Sequence, residues 1–70
     1  MSKRIKKAKK LRIDQSMTLA DEARAASMQQ GMIGWIESGR FIPYNSQLQK
    51  MAKALGYEGD PNDLLEEVDE

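Results

Sequence analysis

The spacing of the apolar residues is the feature that most constrains this chain. They recur every three or four positions, and nowhere do they alternate with period two over a useful length. Spacings of three and four place side chains on one face of an α-helix, whereas alternation is typical of a half-buried strand. Each apolar run is bounded by a capping residue, a glycine or a proline. The sequence therefore predicts an all-α domain of five short helices.

Hydroxyl residues set the start of the first two predicted helices. Ser2 caps the first helix, which ends near residues 14–16 and has an apolar face of Ile5, Ala8 and Leu11. Thr18 caps the second helix, over residues 18–26, and Asp21 is placed to complete a capping box. The apolar face of the second helix is formed by Leu19, Ala23 and Ala26.

Glycine and proline signals bound the remaining helices. A turn at Ser27 and Met28 leads into the third helix, over residues 29–38, which Gly39 ends as a left-handed C-cap. The fourth helix begins near Asn45 or Ser46 and ends at Gly56. Its apolar face consists of Leu48, Met51, Ala52 and Leu55.

The predicted fifth helix has the start signals of a short helix. Asp60 is its cap, Pro61 takes its first position, and Asp63 lies in its first turn. Its apolar residues are Leu64, Leu65 and Val68. Because one short helix can bury only some of these side chains, we expect the C-terminal helix to form a weak homodimer.

Composition excludes several classes of protein. The 70 residues make one domain, spanning 1–70, and contain neither cysteine nor histidine. The commonest metal ligand and general base are therefore absent, and no nucleophile, base and orienting group form a catalytic set. We expect no enzyme activity, cofactor or metal. No apolar run approaches the roughly 20 residues that span a membrane, so we expect a soluble cytoplasmic protein without a membrane partner.

The charges are balanced in number but separated along the chain. Lys and Arg number 11, as do Asp and Glu, so the net charge is zero. Seven of the basic residues lie in the arm or first helix at 1–12, and seven of the acidic ones lie in the C-terminal helix and tail at 58–70. A basic arm suggests a polyanionic partner, and the acidic tail would repel that partner or pair with the arm.

The outward side of the third helix carries no charge, which is unusual for a merely solvated helix. Its outward positions are Gln29, Gln30, Gly31, Gly34, Trp35 and Ser38. Each glycine costs about 1 kcal/mol relative to alanine. Close approach to DNA would compensate for this cost; alternatively, the glycines are simply tolerated. A glutamine at the start of such a helix can form a bidentate pair with adenine.

Residues 11–57 resemble the helix-turn-helix family of the lambda repressor and Cro. The resemblance is carried, without a gap, by Leu11-Arg12, Met17-Thr18, Ala23, Met28, Ile33, Ile36-Glu37, Gly39-Arg40, Pro43, Leu48 and the run Lys50-Met51-Ala52-Lys53-Ala54-Leu55-Gly56. It implies a five-helix domain with a central helix-turn-helix at 18–38. The third helix of such a domain enters the major groove, usually as part of a dimer on a pseudo-palindromic operator.

The resemblance also implies roles for individual residues. Gln30 matches the first base-contacting position, and Trp35 matches an exposed position of the recognition helix, although a lone tryptophan is also often core. The expected phosphate ligands are Arg40, Tyr44 and Asn45 in the loop and fourth helix, and Lys7 in the first helix. In the family, an arginine at the position of Arg12 pairs with a glutamate at the position of Glu37, so we expect this ion pair.

Three positions depart from the family pattern. Leu19 replaces a glutamine that binds a phosphate, Glu22 occupies a leucine position, and Ser27 occupies a glycine position.

The sequence predicts a duplex-DNA-binding transcription regulator, such as a bacterial or phage repressor, with no small-molecule substrate. The alternative is a protein-interaction module on the same fold, antitoxin-like or an adaptor, that uses Trp35 and Met32 as an apolar patch.

Overall fold

Four α-helices account for most of residues 3–70, the part of the chain that the computed structural model describes. They are α1 (Lys7–Asp14), α2 (Leu19–Ala26), α3 (Gln30–Ser38) and α4 (Asn45–Leu55). A 3-10 helix spans Pro61–Leu65, and the strands β1 (Arg4–Lys6) and β2 (Glu67–Asp69) form an antiparallel sheet. The fold is therefore predominantly α, but the expectation of an all-α domain with five helices is wrong.

The predicted boundaries of α2, α3 and α4 are confirmed to within one residue. The Thr18 hydroxyl accepts a hydrogen bond from the backbone N–H of Asp21 at 3.0 Å, and the Asp21 carboxylate accepts one from the backbone N–H of Thr18 at 2.9 Å. These two bonds are the predicted capping box. Gly39 and Gly56 follow α3 and α4 with φ of 82° and 70°, the left-handed conformation that glycine adopts without strain.

The predicted first helix begins later than expected because the residues before it form a strand. Arg4 pairs with Asp69, Ile5 with Val68 and Lys6 with Glu67. Basic side chains thus lie opposite acidic ones, an arrangement that stabilises an antiparallel pair. The helix itself starts at Lys7, and the expected cap, Ser2, lies outside the described residues.

The predicted fifth helix is a 3-10 helix of only five residues. Its start is as expected, since the Asp60 carboxylate accepts a hydrogen bond from the backbone N–H of Asn62 at 3.0 Å. After Leu65 the chain becomes extended and forms β2. A longer helix would have placed the acidic residues of the tail on neighbouring turns, where like charges repel. As a strand, the same residues lie beside the basic β1.

The core lies where the four α-helices and the 3-10 helix meet. Its largest fully buried apolar side chains are Ile33, Ile36, Leu48, Met51 and Leu64. The predicted apolar face of α4 is buried throughout. Met28, in the turn before α3, is partly buried against this core.

Candidate nucleic-acid interface

Helix α3 exposes the side that the sequence predicts. Ile33 and Ile36 are at most 1% exposed and attach α3 to the core. The opposite side holds the predicted contact residues: Gln29, Gln30, Gly31, Trp35 and Ser38 are exposed, and Gly34 is partly exposed. Their spacing along α3 places them on one surface, which we call the α3 face and define as residues 30, 31, 34, 35 and 38.

Trp35 lies on the surface and not in the core. Its side chain is 56% exposed, so of the two positions left open by the sequence, surface and core, Trp35 takes the surface one. The backbone carbonyl of Trp35 accepts hydrogen bonds from the Ser38 hydroxyl at 3.1 Å and from the backbone N–H of Arg40 at 2.9 Å. These bonds close the end of α3, and the large indole ring remains available to a partner.

The turn between α2 and α3 sets the direction in which α3 leaves. Ser27 has φ of 55°, and the backbone N–H of Met28 donates to the carbonyl of Ala23 at 2.9 Å. Ala23 and Ala26 are buried, so α2 presents small side chains at this end of the helix pair. A serine in the left-handed region costs about 1–2 kcal/mol, which the surrounding packing must offset.

Neither glycine of the α3 face is required by internal packing. A Cβ atom built on Gly31 has no neighbour within 4 Å, and one built on Gly34 lies 3.9 Å from the nearest side-chain atom, in Leu19. An alanine would therefore fit at both positions. Because alanine is the better helix former, the two glycines lower the stability of α3 without any packing gain.

The loop after α3 presents the expected phosphate ligands. Arg40 and Asn45 are exposed, and Tyr44 is 73% exposed. Within residues 3–70, Arg40 makes no ion pair. The start of α4 is fixed because Gln47 accepts a hydrogen bond from the backbone N–H of Tyr44 at 2.8 Å and donates one to the sulfur of Met32 at 3.2 Å.

The expected ion pair between Arg12 and Glu37 is confirmed. The Arg12 Nε and Nη2 groups donate to the two carboxylate oxygens of Glu37 at 2.8 and 3.0 Å, and Nη1 donates to the carbonyl of Met17 at 2.9 Å. The hydrogen bond to Glu37 raises the pKa of Arg12 above its usual value. The two side chains are only 13% and 6% exposed. This bidentate pair joins α1 to the last turn of α3.

Lys7 lies in a different polar network from the α3 face. Its ammonium group donates to the Tyr57 hydroxyl at 3.2 Å and lies 4.8 Å from the centre of the Tyr57 ring. The hydroxyl in turn donates to Asp63 at 2.6 Å. The hydrogen bond to Tyr57 raises the pKa of Lys7. No described contact brings Lys7 together with the other predicted phosphate ligands.

The acidic tail pairs with the basic arm, one of the two outcomes considered for these segments. Besides the sheet, Arg4 donates to the carbonyl of Glu67 at 2.6 Å, and Lys10 donates to that of Glu70 at 3.1 Å. The acceptors are backbone carbonyls, and no ion pair within residues 3–70 joins the arm to the tail. The positive charge nearest to α3 in sequence is that of Arg40, in the loop that follows the helix.

Glu22 was identified from the sequence only as an acidic residue at a position where the family pattern has leucine. Its side chain is completely buried, and neither carboxylate oxygen has a hydrogen-bond partner among residues 3–70. Burial is the main cause that raises its pKa to about 7, nearby Glu37 raises it further, and Arg12 opposes the shift. An acidic residue at an inward position of an amphipathic helix was the signal that could have revealed this site.

No group of three or more acidic side chains within residues 3–70 could hold a metal ion. In the same part of the chain, no helix has both the length and the apolar character needed to cross a membrane. The chain matches no protein-family model, no curated protein and no solved structure at a significant level. The geometry of the α3 face is therefore the basis for a proposed function.

Proposed function

We propose that this protein is a sequence-specific transcription regulator, such as a bacterial or phage repressor, that reads duplex DNA with α3. The observation that carries the proposal is the α3 face, an exposed helix surface without a charged side chain. The loop that follows α3 holds Arg40, which is exposed and makes no ion pair within residues 3–70. DNA phosphates repel carboxylates, and a reading helix needs polar or apolar groups that reach base edges. The proposed fold is that of the lambda repressor and Cro family, with α2 and α3 as the helix-turn-helix.

Individual residues take roles that their exposure allows. Gln30 is in the first turn of α3 and can donate to N7 and accept from N6 of adenine in the major groove. The Trp35 indole, five positions further, can pack on a thymine methyl group or a sugar. Gly31 and Gly34 permit the helix backbone to come close to the duplex.

Phosphate binding is proposed for the loop after α3. Arg40 supplies the charge, and Tyr44 and Asn45 supply hydrogen-bonding groups at the start of α4. Gln47 links the start of α4 to α3, because it accepts a hydrogen bond from the backbone N–H of Tyr44 and donates one to the sulfur of Met32. Lys7 contributes less in this proposal, because its ammonium group is already bound to Tyr57.

We further propose that two copies bind a pseudo-palindromic operator with α3 helices about 34 Å apart. The contact involves the C-terminal segment, where β2 has a strand partner on one side only within residues 3–70. Glu67 and Asp69 flank the partly buried Val68 on this strand. Carboxylates brought together across a two-fold axis repel, so the dimer is weak in the absence of DNA.

Replacing Gln30 by alanine tests the proposed reading of bases. The loss of a bidentate contact should weaken binding to the preferred site by about 1–3 kcal/mol and relax the preference at one base pair. Gln49→Ala is the matched control, because Gln49 is also an exposed glutamine, on α4. Binding curves on the preferred site and its single-base variants measure the effect. Equal site preferences in the two variants would show that Gln30 does not read bases.

Replacing Gly31 by alanine separates stability from binding. Because a Cβ at this position meets no atom within 4 Å, the variant should be more stable by about 1 kcal/mol. Its affinity for DNA should nevertheless fall, since the added methyl group occupies space that the duplex needs. Thermal unfolding and DNA titration of the same preparation provide both readouts. An alanine variant that is more stable and binds DNA unchanged would remove the proposed close approach.

The exposed apolar residues favour one alternative function. Trp35, Tyr44 and Ile42 are 56%, 73% and 81% exposed, which suits contact with another protein as well as with DNA. Met32, assigned to such a patch from the sequence, is only partly exposed. An antitoxin-like or adaptor protein would use these side chains without binding duplex DNA. Retained partner binding in Arg40→Ala, together with no DNA binding in the wild type, would favour this alternative.

A further inference from the structure

Glu22 is a buried carboxyl group that has no role in the proposed DNA contact. It lies on the inward side of α2 next to Ala23, and its exposure is 0%. In the part of the chain that the structure describes, both carboxylate oxygens lack a hydrogen-bond donor. A buried carboxylate without donors is far less stable than a buried protonated carboxyl. Proton binding at this position is thus coupled to the packing of α2.

The charged groups around Glu22 do not compensate for an ionised carboxylate. From α1 it faces Arg12, and from α3 it faces Glu37, but these two already form a bidentate pair with each other. On α2 itself, Asp21 and Arg24 form an ion pair with each other at 2.9 Å, and both side chains are more exposed than those of Arg12 and Glu37. The charged residues of α4, Lys50 and Lys53, are exposed.

We propose that Glu22 is a proton-controlled switch in the helix-turn-helix: α2 packs fully on α3 and α4 when this carboxyl is protonated, and the packing loosens when the carboxyl ionises. An ionised Glu22 would bring a second negative charge to the Arg12–Glu37 pair. It would also compete with Glu37 for Arg12, the residue that joins α1 to the end of α3. Both effects act on the helix pair that presents the α3 face.

The direction of the pH effect follows from proton linkage. The pKa of Glu22 is raised from 4.5 to about 7 in the folded protein, so the folded state binds a proton that the unfolded state has already lost in this range. Stability is therefore highest below pH 4.5, as far as Glu22 is concerned, and falls as the pH rises to about 7. Once Glu22 is ionised in the folded protein as well, above pH 7, the folding equilibrium constant should be about 300-fold lower than at acid pH, since each pH unit between the two pKa values accounts for a factor of ten.

The chain is well suited to a test because it has no histidine. No other side chain ordinarily changes its charge between pH 5 and 8. Asp21, whose pKa is lowered by its hydrogen bonds to Thr18, acts only below this window. A pH dependence in the neutral range can therefore be assigned to Glu22 by substitution.

The experiment compares urea unfolding of the wild type, Glu22→Gln and Glu58→Gln at pH values from 5 to 8. Glu22→Gln keeps the size and the unpaired polar atoms but cannot ionise, and Glu58→Gln removes an exposed carboxylate. Wild type and Glu58→Gln should lose stability in parallel as the pH rises, whereas Glu22→Gln should not. Parallel curves for wild type and Glu22→Gln would overturn the proposal.

A second measurement applies even if Glu22→Gln fails to fold. The carboxyl carbon of Glu22, observed by NMR in the wild type, should titrate with a midpoint near 7. A midpoint near 4.5, the ordinary value, would overturn the proposal. Glu22→Leu, which cannot carry charge or an amide, should fold and show the same flat pH dependence expected for Glu22→Gln.

The consequence for DNA binding rests on the proposed function. The wild type should lose more affinity for its preferred site between pH 6 and 8 than Glu22→Leu does. If the wild type binds no DNA at either pH, the proposed function fails while the unfolding and NMR results still decide the switch. If DNA binding by the wild type and by Glu22→Leu is independent of pH while the stability of the wild type is not, protonation of Glu22 does not affect the α3 face.

Discussion

Replacing Arg12 by methionine is expected to destabilise the fold by about 3–5 kcal/mol, because it leaves a nearly buried carboxylate without its partner. Glu37 is 6% exposed and receives two hydrogen bonds from Arg12. The substitution also removes the cation that faces Glu22. Two carboxyl groups would then share one site without a compensating charge. In a domain of 70 residues, a loss of this size can abolish folding.

Replacing the other member of the pair, Glu37→Gln, should reduce the free energy of unfolding less than Arg12→Met does. When Glu37 is neutral, an ionised Glu22 can take its place opposite Arg12, so the guanidinium keeps a carboxylate partner. The two substitutions together should be less harmful than Arg12→Met alone, because no charge of the pair is left over. Chemical denaturation of the three variants near pH 7 measures this asymmetry.

Arg24→Ala is the matched control for Arg12. Arg24 also pairs with a carboxylate, that of Asp21, but its side chain is 78% exposed. An exposed ion pair of this kind contributes less than about 1 kcal/mol to the free energy of unfolding. If Arg12→Met cost as little as Arg24→Ala, the Arg12–Glu37 pair would not be a structural link between α1 and α3.

Replacing Leu64 by alanine is the second change with a large expected effect, about 2–5 kcal/mol. Leu64 is completely buried and belongs to the 3-10 helix that packs on α1 and α4. The cavity left by the smaller side chain cannot be filled easily by an element of five residues. The 3-10 helix also leads into β2, so its loosening should weaken the β1–β2 sheet.

Leu65→Ala provides the comparison within the same element. Leu65 is only partly buried, so its truncation should cost distinctly less than that of Leu64. Amide hydrogen exchange adds a local readout, because protection of Ile5 and Val68 in the sheet should fall together with that of the 3-10 helix in Leu64→Ala. Equal free energies of unfolding for Leu64→Ala and Leu65→Ala would mean that the 3-10 helix does not belong to the cooperative core.

The central part of the fold could be predicted because its signals are local. The Thr18–Asp21 capping box, the apolar spacing of α4 and the left-handed Gly39 each depend on neighbours within one or two turns. Such signals define helix boundaries from the sequence alone. The same is true of the α3 face, whose exposure follows from the inward position of Ile33 and Ile36.

The two ends of the chain could not be predicted in this way. The pairing of Arg4 with Asp69 joins residues at opposite ends of the sequence, and hydrophobic periodicity contains no information on such contacts. The apolar spacing of Ile5, Ala8 and Leu11 fits a helix, yet Ile5 is buried from a strand. The charge separation between the ends was visible, and it indicated pairing with the tail as one of two outcomes.

Individual side chains of the candidate site were predictable to different degrees. Trp35 could not be assigned to surface or core from its residue type, because tryptophan occurs in both. Lys7 was assigned to phosphates by charge alone, while its actual partner, Tyr57, is 50 positions away. The burial of Glu22 was implied by its inward position, but the absence of a hydrogen-bond donor depends on the packing of three helices.

Selection of bound duplexes from a random-sequence pool tests the proposed function most directly. The full chain is incubated with the pool at physiological salt and near pH 6, where Glu22 is protonated, and bound molecules are sequenced over successive rounds. We expect one motif to be enriched, arranged as two half-sites separated by about one helical turn. Retention of duplexes without any enriched motif, or no retention at all, would contradict the proposal that α3 reads DNA sequence.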